Sequence, residues 1–287
     1  MHILGCGYIG CALARRLIAN QHPVIGVARS ASSCAAITAT GATACQLDLE
    51  HHPLAALHCA DQLVFHSAPP SSHDDQDHLT ARLVSHFLST GNPRRVVYLS
   101  TTGVYGDCHG DWVDETWPVR PLAARAKRRV DAEQRLQTWA AASGGELVIL
   151  RVAGIYAADR LPLERLRNGL PVVAAAEAPW SNRIHADDLV TICLAAMERA
   201  PAGAIYNVCD NQPSTMTDYF CQVAAAVGLP APPQIPLSAA PAHLSPGLLS
   251  YMQESRRLRN DKVLTELGVT LRYPTLADGL ADLHPVT

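Results

Sequence analysis

Three glycines near the start of the chain, Gly5, Gly7 and Gly10, stand at the spacing G-x-G-x-x-G. The stretch GCGYIG, with Tyr8 and Ile9 inside it, follows the strand-like HIL and opens a helical pattern marked by Ile9, Leu13 and Leu17. The spacing has a mechanical reading. The first glycine permits a tight turn, the second lets the backbone approach a pyrophosphate, and the third lets helix and strand pack closely. A helix that begins there aims free N–H groups and the positive end of its dipole at the anion. A dinucleotide is therefore the expected ligand. Cys6 and Cys11 flank the helix start and are read as buried against a sheet rather than as reactive thiols.

The next strand discriminates between dinucleotides. A site for NAD carries an acid about 20 residues past the loop, where it binds the ribose hydroxyls. The segment VIGVARS holds none, and Arg29 and Ser30 stand at its end instead. A guanidinium suits a 2′-phosphate through charge-assisted bonds. NADP is the expected cofactor, with NAD as the alternative. Asp48, ending ACQLD, is a candidate for the adenine amino group.

These residues need a frame. Short apolar runs (HIL, VIGVA, ACQLD, LVFH, RVVYLS, LVILRV) each precede a helical pattern or a long connection. Such alternation predicts a parallel sheet covered by helices on both faces. The expected fold is α/β, a Rossmann-type doubly wound parallel sheet with a small substrate-binding lobe in the C-terminal part. Residues 1–154 would form the dinucleotide-binding domain. Residues 155–287, where Pro and Gly become frequent, would form the lobe, with about 186–226 returning to the first domain.

Composition narrows the function. Apolar residues make up 48% and charged ones 17%, enough for a sizeable core. A net charge of −3 without a basic block argues against nucleic acid. No apolar run reaches membrane-spanning length, and Met1 lies almost inside the first strand, leaving no room for a signal peptide. A cytoplasmic location is expected, with the nine scattered cysteines reduced. No metal is expected: Cys108, His109 and Asp111 share a short polar loop, but three ligand types there do not make a site.

The chain resembles the extended short-chain dehydrogenase/reductase family, of the NAD-dependent epimerase/dehydratase type, over nearly its whole length. GCGYIG is similar to the family's glycine loop. LDL, with Asp48 and Leu49, is similar to its adenine-side acid. HSAPP resembles its fourth-strand loop, which implies that Ser67, Ala68 and Pro69 lie beside the cofactor. YLSTTGVYGD resembles its fifth-strand signature; LRVAGIYAADR, NRIHADDLV and YNVCD resemble later landmarks. The resemblance implies that Thr101, with Ser100 and Thr102 beside it, supplies the hydroxyl that polarises a substrate carbonyl. It also implies a Tyr-x-x-x-Lys pair for proton transfer, and a homodimer through a pair of helices.

That pair is missing. The helix PLAARAKRRVDAEQRL places Arg125 at the tyrosine position and Arg129 at the lysine position when Glu133 takes the family's acid, and no Tyr occurs between Tyr105 and Tyr156. Positions 125, 129 and 133 share a helix face, which in the family looks at the nicotinamide. An arginine stays protonated at neutral pH and so cannot shuttle a proton, but it binds carboxylates and phosphates. Arg125 and Arg129 are thus candidate substrate ligands, as is Arg183 in SNRIHADDL; Lys127 and Arg128 suit a solvated surface. Tyr105 is the first candidate for a replacement proton donor and Tyr156 the second. Arg256, Arg257 and Arg259 could also meet an anion, and His185 reads as structural.

The departure resembles the atypical branch of the superfamily, whose members often lose the tyrosine. The first expectation is an NADP-dependent oxidoreductase acting on a small, soluble, anionic substrate. The alternatives are a non-catalytic dinucleotide-binding sensor or scaffold and a sugar-nucleotide epimerase or dehydratase.

Overall fold

The computed structural model of the protein describes residues 1–70, 74–281 and 283. The first half runs β1 (His2–Leu4), α1 (Tyr8–Ala19), β2 (Ile25–Ala28), α2 (Ala31–Thr38), β3 (Thr43–Gln46), β4 (Leu63–His66), α3 (His78–Thr90) and β5 (Arg95–Thr101). A 3₁₀ turn (Thr102–Tyr105), β6 (Trp112–Val113), α4 (Ala124–Ser143) and β7 (Glu146–Val152) complete it. Then come β8 (Gly154–Tyr156), α5 (Leu163–Arg167), β9 (Val172–Val173), β10 (Trp180–Ser181), β11 (Arg183–His185), α6 (Ala186–Arg199) and β12 (Ile205–Val208). The last elements are β13 (Ser214–Thr215), α7 (Met216–Ala226), β14 (Gln234–Ile235), α8 (Ala240–His243), α9 (Pro246–Met252), β15 (Arg257–Leu258), α10 (Asp261–Leu267) and α11 (Leu276–Leu280).

Seven strands form one parallel sheet in the order β12-β7-β5-β4-β1-β2-β3. The order reverses between β1 and β4, where His2 pairs with Ile25 on one side and Val64 on the other. Ligands of such sheets bind at this switch point, outside the carboxyl ends of the strands. The fold is a Rossmann-like α/β sheet with helices on both faces. One face packs under α1, α6 and α10 through Leu13, Leu17, Ile192 and Val263. The other packs under α3 and α4 through Leu83, Phe87, Leu136 and Trp139. Leu79, Leu83 and Phe87 repeat every fourth residue, so α3 buries a single stripe. Asp77 caps its N-terminus.

The later residues divide between the layers. α6 and β12 join the central sheet, and α10 packs against both. α7 does not return with them. Its Phe220 and Val223 pack with Tyr156, Leu166, Val172 and Leu276 in a smaller core. The return covers α6 and β12, and α7 stays with the lobe because its apolar stripe meets β9 and α11 there.

Candidate functional site

Two neighbouring clefts open at the carboxyl ends of the strands. The first is built from backbone. Gly5 has φ +75°, and a Cβ on it would overlap the backbone of Ala68. Ser67 fastens the same approach by donating its hydroxyl to the carbonyls of Leu4 (3.2 Å) and Gly5 (3.1 Å). Gly10 faces Ile3 and Cys6, and an added Cβ would press on both side chains. Gly7 differs from both, because a Cβ there would meet nothing closer than 3.9 Å. Packing therefore does not account for a glycine here, and the space beside it is open.

Helix α1 starts at this gap without a side-chain cap or an acid in its first turn. By contrast α2, α3 and α7 are capped by Ser30, Asp77 and Thr215. An uncapped helix end beside an open glycine suits an anion held by amide N–H groups. Gly5, Gly7, Arg29, Ser30, Asp48, Leu49, Ala68 and Pro69 border one cleft of about 580 Å³. Ile9 is buried below the loop. Arg29 is exposed at the rim. Ser30 accepts the Ser33 amide. Asp48 accepts the Glu50 and His51 amides and meets the His51 ring at 3.1 Å. Those bonds outweigh partial burial and hold its carboxyl below the ordinary range. Tyr8 points outward from the loop. Its hydroxyl donates to Asp159 at 2.7 Å, and the Arg160 guanidinium lies 4.3 Å from its ring centre. The residues present therefore fit a dinucleotide: the start of α1 could hold a diphosphate, and Arg29 and Asp48 could meet the adenosine end.

The second cleft is built from side chains. Its cavity, about 300 Å³, is bordered by Thr101, Thr102, Arg125, Arg183, Glu254 and Arg256 among others. Thr101 ends β5 and accepts the Gly103 amide at 3.3 Å. Among the described residues its hydroxyl hydrogen has no acceptor, so it can donate to a bound oxygen. Arg125 reaches across the cavity. Its Nη1 donates to Ser250 Oγ at 2.6 Å, and its guanidinium stacks on Tyr251 at 4.2 Å. It thus ties α4 to α9. Arg183 is buried, donates to the Asn182 carbonyl, and stacks 4.4 Å from Tyr219.

Other expected residues lie elsewhere. Arg129 does not border the cavity. Its Nη1 donates to Tyr98 Oη and to the Leu99 carbonyl, both at 3.0 Å. The guanidinium folds back on β5 because that strand offers it two acceptors. Tyr105 also departs from the expectation. The 3₁₀ turn drives its ring into a small core with Val104, Val113 and Leu258. There its hydroxyl donates to Asn207 Oδ1 (2.7 Å) and accepts from Arg151 (3.0 Å). Burial pushes the phenol up to about 12 despite the arginine beside it. A hydroxyl so placed is a structural anchor, not a proton donor to the cleft. Tyr156 is buried as well, and its hydroxyl donates to the Thr275 carbonyl. Arg259 stacks on Trp112, and Arg257 stacks on Trp112 and on Trp180 at the cavity's edge; neither arginine borders the cavity itself. His185 caps α6 by accepting the Asp187 amide.

Sequence reasoning missed the network behind Tyr105. Arg151 Nη2 meets Glu133 Oε2 at 2.8 Å, and Glu133 Oε1 accepts Ser100 Oγ at 2.5 Å. Both charged side chains are almost wholly buried. The signal was Arg151 itself, a charge inside the apolar run LVILRV. Glu254 and the α9 residues Ser250 and Tyr251 gave no comparable signal, because nothing in their spacing links them to β5 or α4.

The architecture and both clefts define a member of a known class. The model of the NAD dependent epimerase/dehydratase family matches residues 1–209, and the chain belongs to that family. Among curated proteins, it is 28% identical to Protein YeeZ of Escherichia coli K12 over 95% of each chain. It is 27% identical to a 4-hydroxy-2-methyl-3-oxo-4-farnesyl-3,4-dihydroquinoline-1-oxide ketoreductase of Stigmatella aurantiaca, over 92% of this chain and 89% of the other. Among solved structures, a functionally unknown conserved protein from Silicibacter pomeroyi DSS superposes with a TM-score of 0.85 at 35% identity, covering 97% and 95% of the two chains. MoeE5, solved with UDP-glucose and NAD, superposes with a TM-score of 0.78 at 20% identity, covering 98% and 96%. Among the described residues, no helix is long and apolar enough to cross a membrane.

Proposed function

We propose that the protein is an NADP(H)-binding oxidoreductase of the atypical kind, acting on a small anionic substrate in the cavity beside Thr101. The observation that carries the reading is the junction of the two clefts. An uncapped helix start with an open Gly7 lies next to a cavity that holds a free strand-end hydroxyl and arginines. When bound, a nicotinamide supplies or accepts the hydride. The chain's own residues do the rest. The first turn of α1 holds the diphosphate, Thr101 aligns the reacting oxygen, and Arg183 offsets the substrate's negative charge. Arg29, with no acid at the end of β2, supports a preference for the 2′-phosphate form. The ketoreductase relative supports reduction of a carbonyl. The proton is not assigned to Tyr105, which is locked away from the cavity.

One observation favours a second reading, a dinucleotide-binding protein without turnover. The helix face that would carry the proton shuttle holds Arg125 and Arg129, neither of which exchanges protons near neutral pH. Calorimetric titration with NADPH and NADH tests the cofactor. NADPH should bind more tightly by at least about tenfold, a gap that Arg29→Ala closes. Equal affinities would overturn the NADP assignment, and no binding of either would overturn the function. Loss of NADPH absorbance with small carbonyl acids separates enzyme from sensor.

A further inference from the structure

The cavity beside Thr101 holds two groups whose bonding is incomplete. The first is Arg183. It is 7% exposed, and among the described residues it takes part in no ion pair. Its contacts are the Asn182 carbonyl (2.9 Å), Met216 Sδ (3.3 Å) and the face of Tyr219. A buried cation left so is costly unless something anionic joins it. The neighbouring carboxylate, Asp210, lies beyond ion-pair distance, and burial raises its carboxyl to about 7. It is a poor counter-ion at neutral pH.

The second is Glu254, 5% exposed and also bordering the cavity. Both terminal nitrogens of Arg256 converge on one of its oxygens, Oε2, at 3.0 and 2.9 Å. Arg256 is itself fixed by the Gly106 carbonyl at 2.6 Å. The other oxygen, Oε1, is buried and has no hydrogen-bond partner among the described residues. A buried carboxylate oxygen held in this way calls for a donor.

We infer that the cavity takes a small hydroxylated anion, its acid group held by Arg183 and a hydroxyl donated to Glu254 Oε1. The inference rests on the assignment of this cavity as the substrate site and adds a chemical class to it. Charge agrees: Arg125, Arg183 and Arg256 face a single carboxylate, Glu254, so the cavity is net cationic. Size agrees as well. About 300 Å³ lies at the lower end of the ~300–1,000 Å³ range of ligand pockets. Sugar acids, hydroxy acids and aromatic hydroxy acids share the required chemistry.

The test uses the full chain with matched triplets of probes: mandelate, phenylacetate and mandelamide; glycerate, propanoate and glyceramide; gluconate, hexanoate and gluconamide. Binding is read by thermal shift and calorimetry, with and without saturating NADP⁺. At least one hydroxy acid should bind about tenfold or more tightly than both its deoxy acid and its amide, as expected for a buried charge-assisted bond. Glu254→Gln should erase the preference for the hydroxyl, and Arg183→Met the preference for the acid. Hydroxy acids that bind no better than their deoxy partners would overturn the inference, with water serving Oε1. Should Glu254→Gln fail to fold, the wild-type triplets decide alone. Dinucleotide titration is a separate readout, so failure to bind NADP⁺ would sink the redox function while triplet discrimination still supported the ligand class.

Discussion

The two clefts lie side by side yet are made of different material. The dinucleotide cleft is shaped by where glycines permit the chain to go: Gly5 against Ala68, Gly10 against Ile3, and Gly7 against open space. The cavity beside Thr101 is shaped by side chains from β5, α4, β11, α9 and the segment after it. A backbone site depends on a few consecutive residues. A side-chain site depends on the whole fold arriving in register. In the first the close approaches are made at glycines, with Arg29 and Asp48 at the rim, while the second is lined by side chains brought together from distant elements.

The largest effect should come from the layer that supports both clefts. Glu133→Ala leaves Arg151 buried without its partner and should cost about 3–5 kcal/mol, read as a lowered denaturant midpoint. A midpoint unchanged within error would show that the pair is not a shared foundation.

Next come the glycines, which separate packing from binding. Gly5→Ala combines a positive φ with overlap on Ala68 and should destabilise by about 2–5 kcal/mol. Gly7→Ala should leave the melting temperature within a degree or two, by analogy with an exposed surface change, while weakening NADPH binding about tenfold or more. Equal stability losses at the two positions would erase the distinction between the glycines.

A smaller effect concerns Asp210, behind the cavity. Burial raises its carboxyl to about 7, against about 3.9 in an unfolded chain. Between these values the folded state holds a proton that the unfolded state has lost. Stability from this group is therefore present at low pH and falls as pH rises through 7. Asp210→Asn should remove that decline. Relative to wild type, the variant should gain a few kcal/mol at most between pH 5 and pH 8, measured by urea unfolding at both. A gain of the same size at both pH values would refute the ionisation argument.

A modest effect should come from the contact between α4 and α9. Arg125→Leu removes the Ser250 bond and the stack on Tyr251, contacts made partly in solvent and worth about 1 kcal/mol. The hydrogen exchange of α9 should quicken while that of α1 stays unchanged.

The contrast also explains what could be read from the sequence. All six apolar runs became central strands, because parallel strands buried on both faces are written as continuous hydrophobic segments. The glycine loop was legible because its spacing is local. The last central strand, β12, was legible as a strand, but its α7 neighbour was grouped with the sheet although its stripe meets the lobe. Arg125 and Arg129 share a helix face, yet one crosses to Ser250 and the other turns back to Leu99. Helical periodicity fixes direction at Cβ; a long, flexible side chain then follows its acceptors. Tyr105 fails for a similar reason. Its strand-end position was apparent, but its Asn207 partner lies 102 residues away.

That distance shapes how the molecule must be made. A growing chain that has emerged only through β7 has a sheet whose outer edge is open, since β12 is not yet present to pair with it. Tyr105 still lacks Asn207, and α6 and α10 have not yet covered their side of the sheet. The stretch up to β7, although continuous in sequence, thus carries an unpaired strand edge and an incompletely covered sheet face until later residues arrive. Those residues, in β12 and α10, are synthesised only after the chain has passed through β8–β11, so the sheet closes when part of the lobe has already been made.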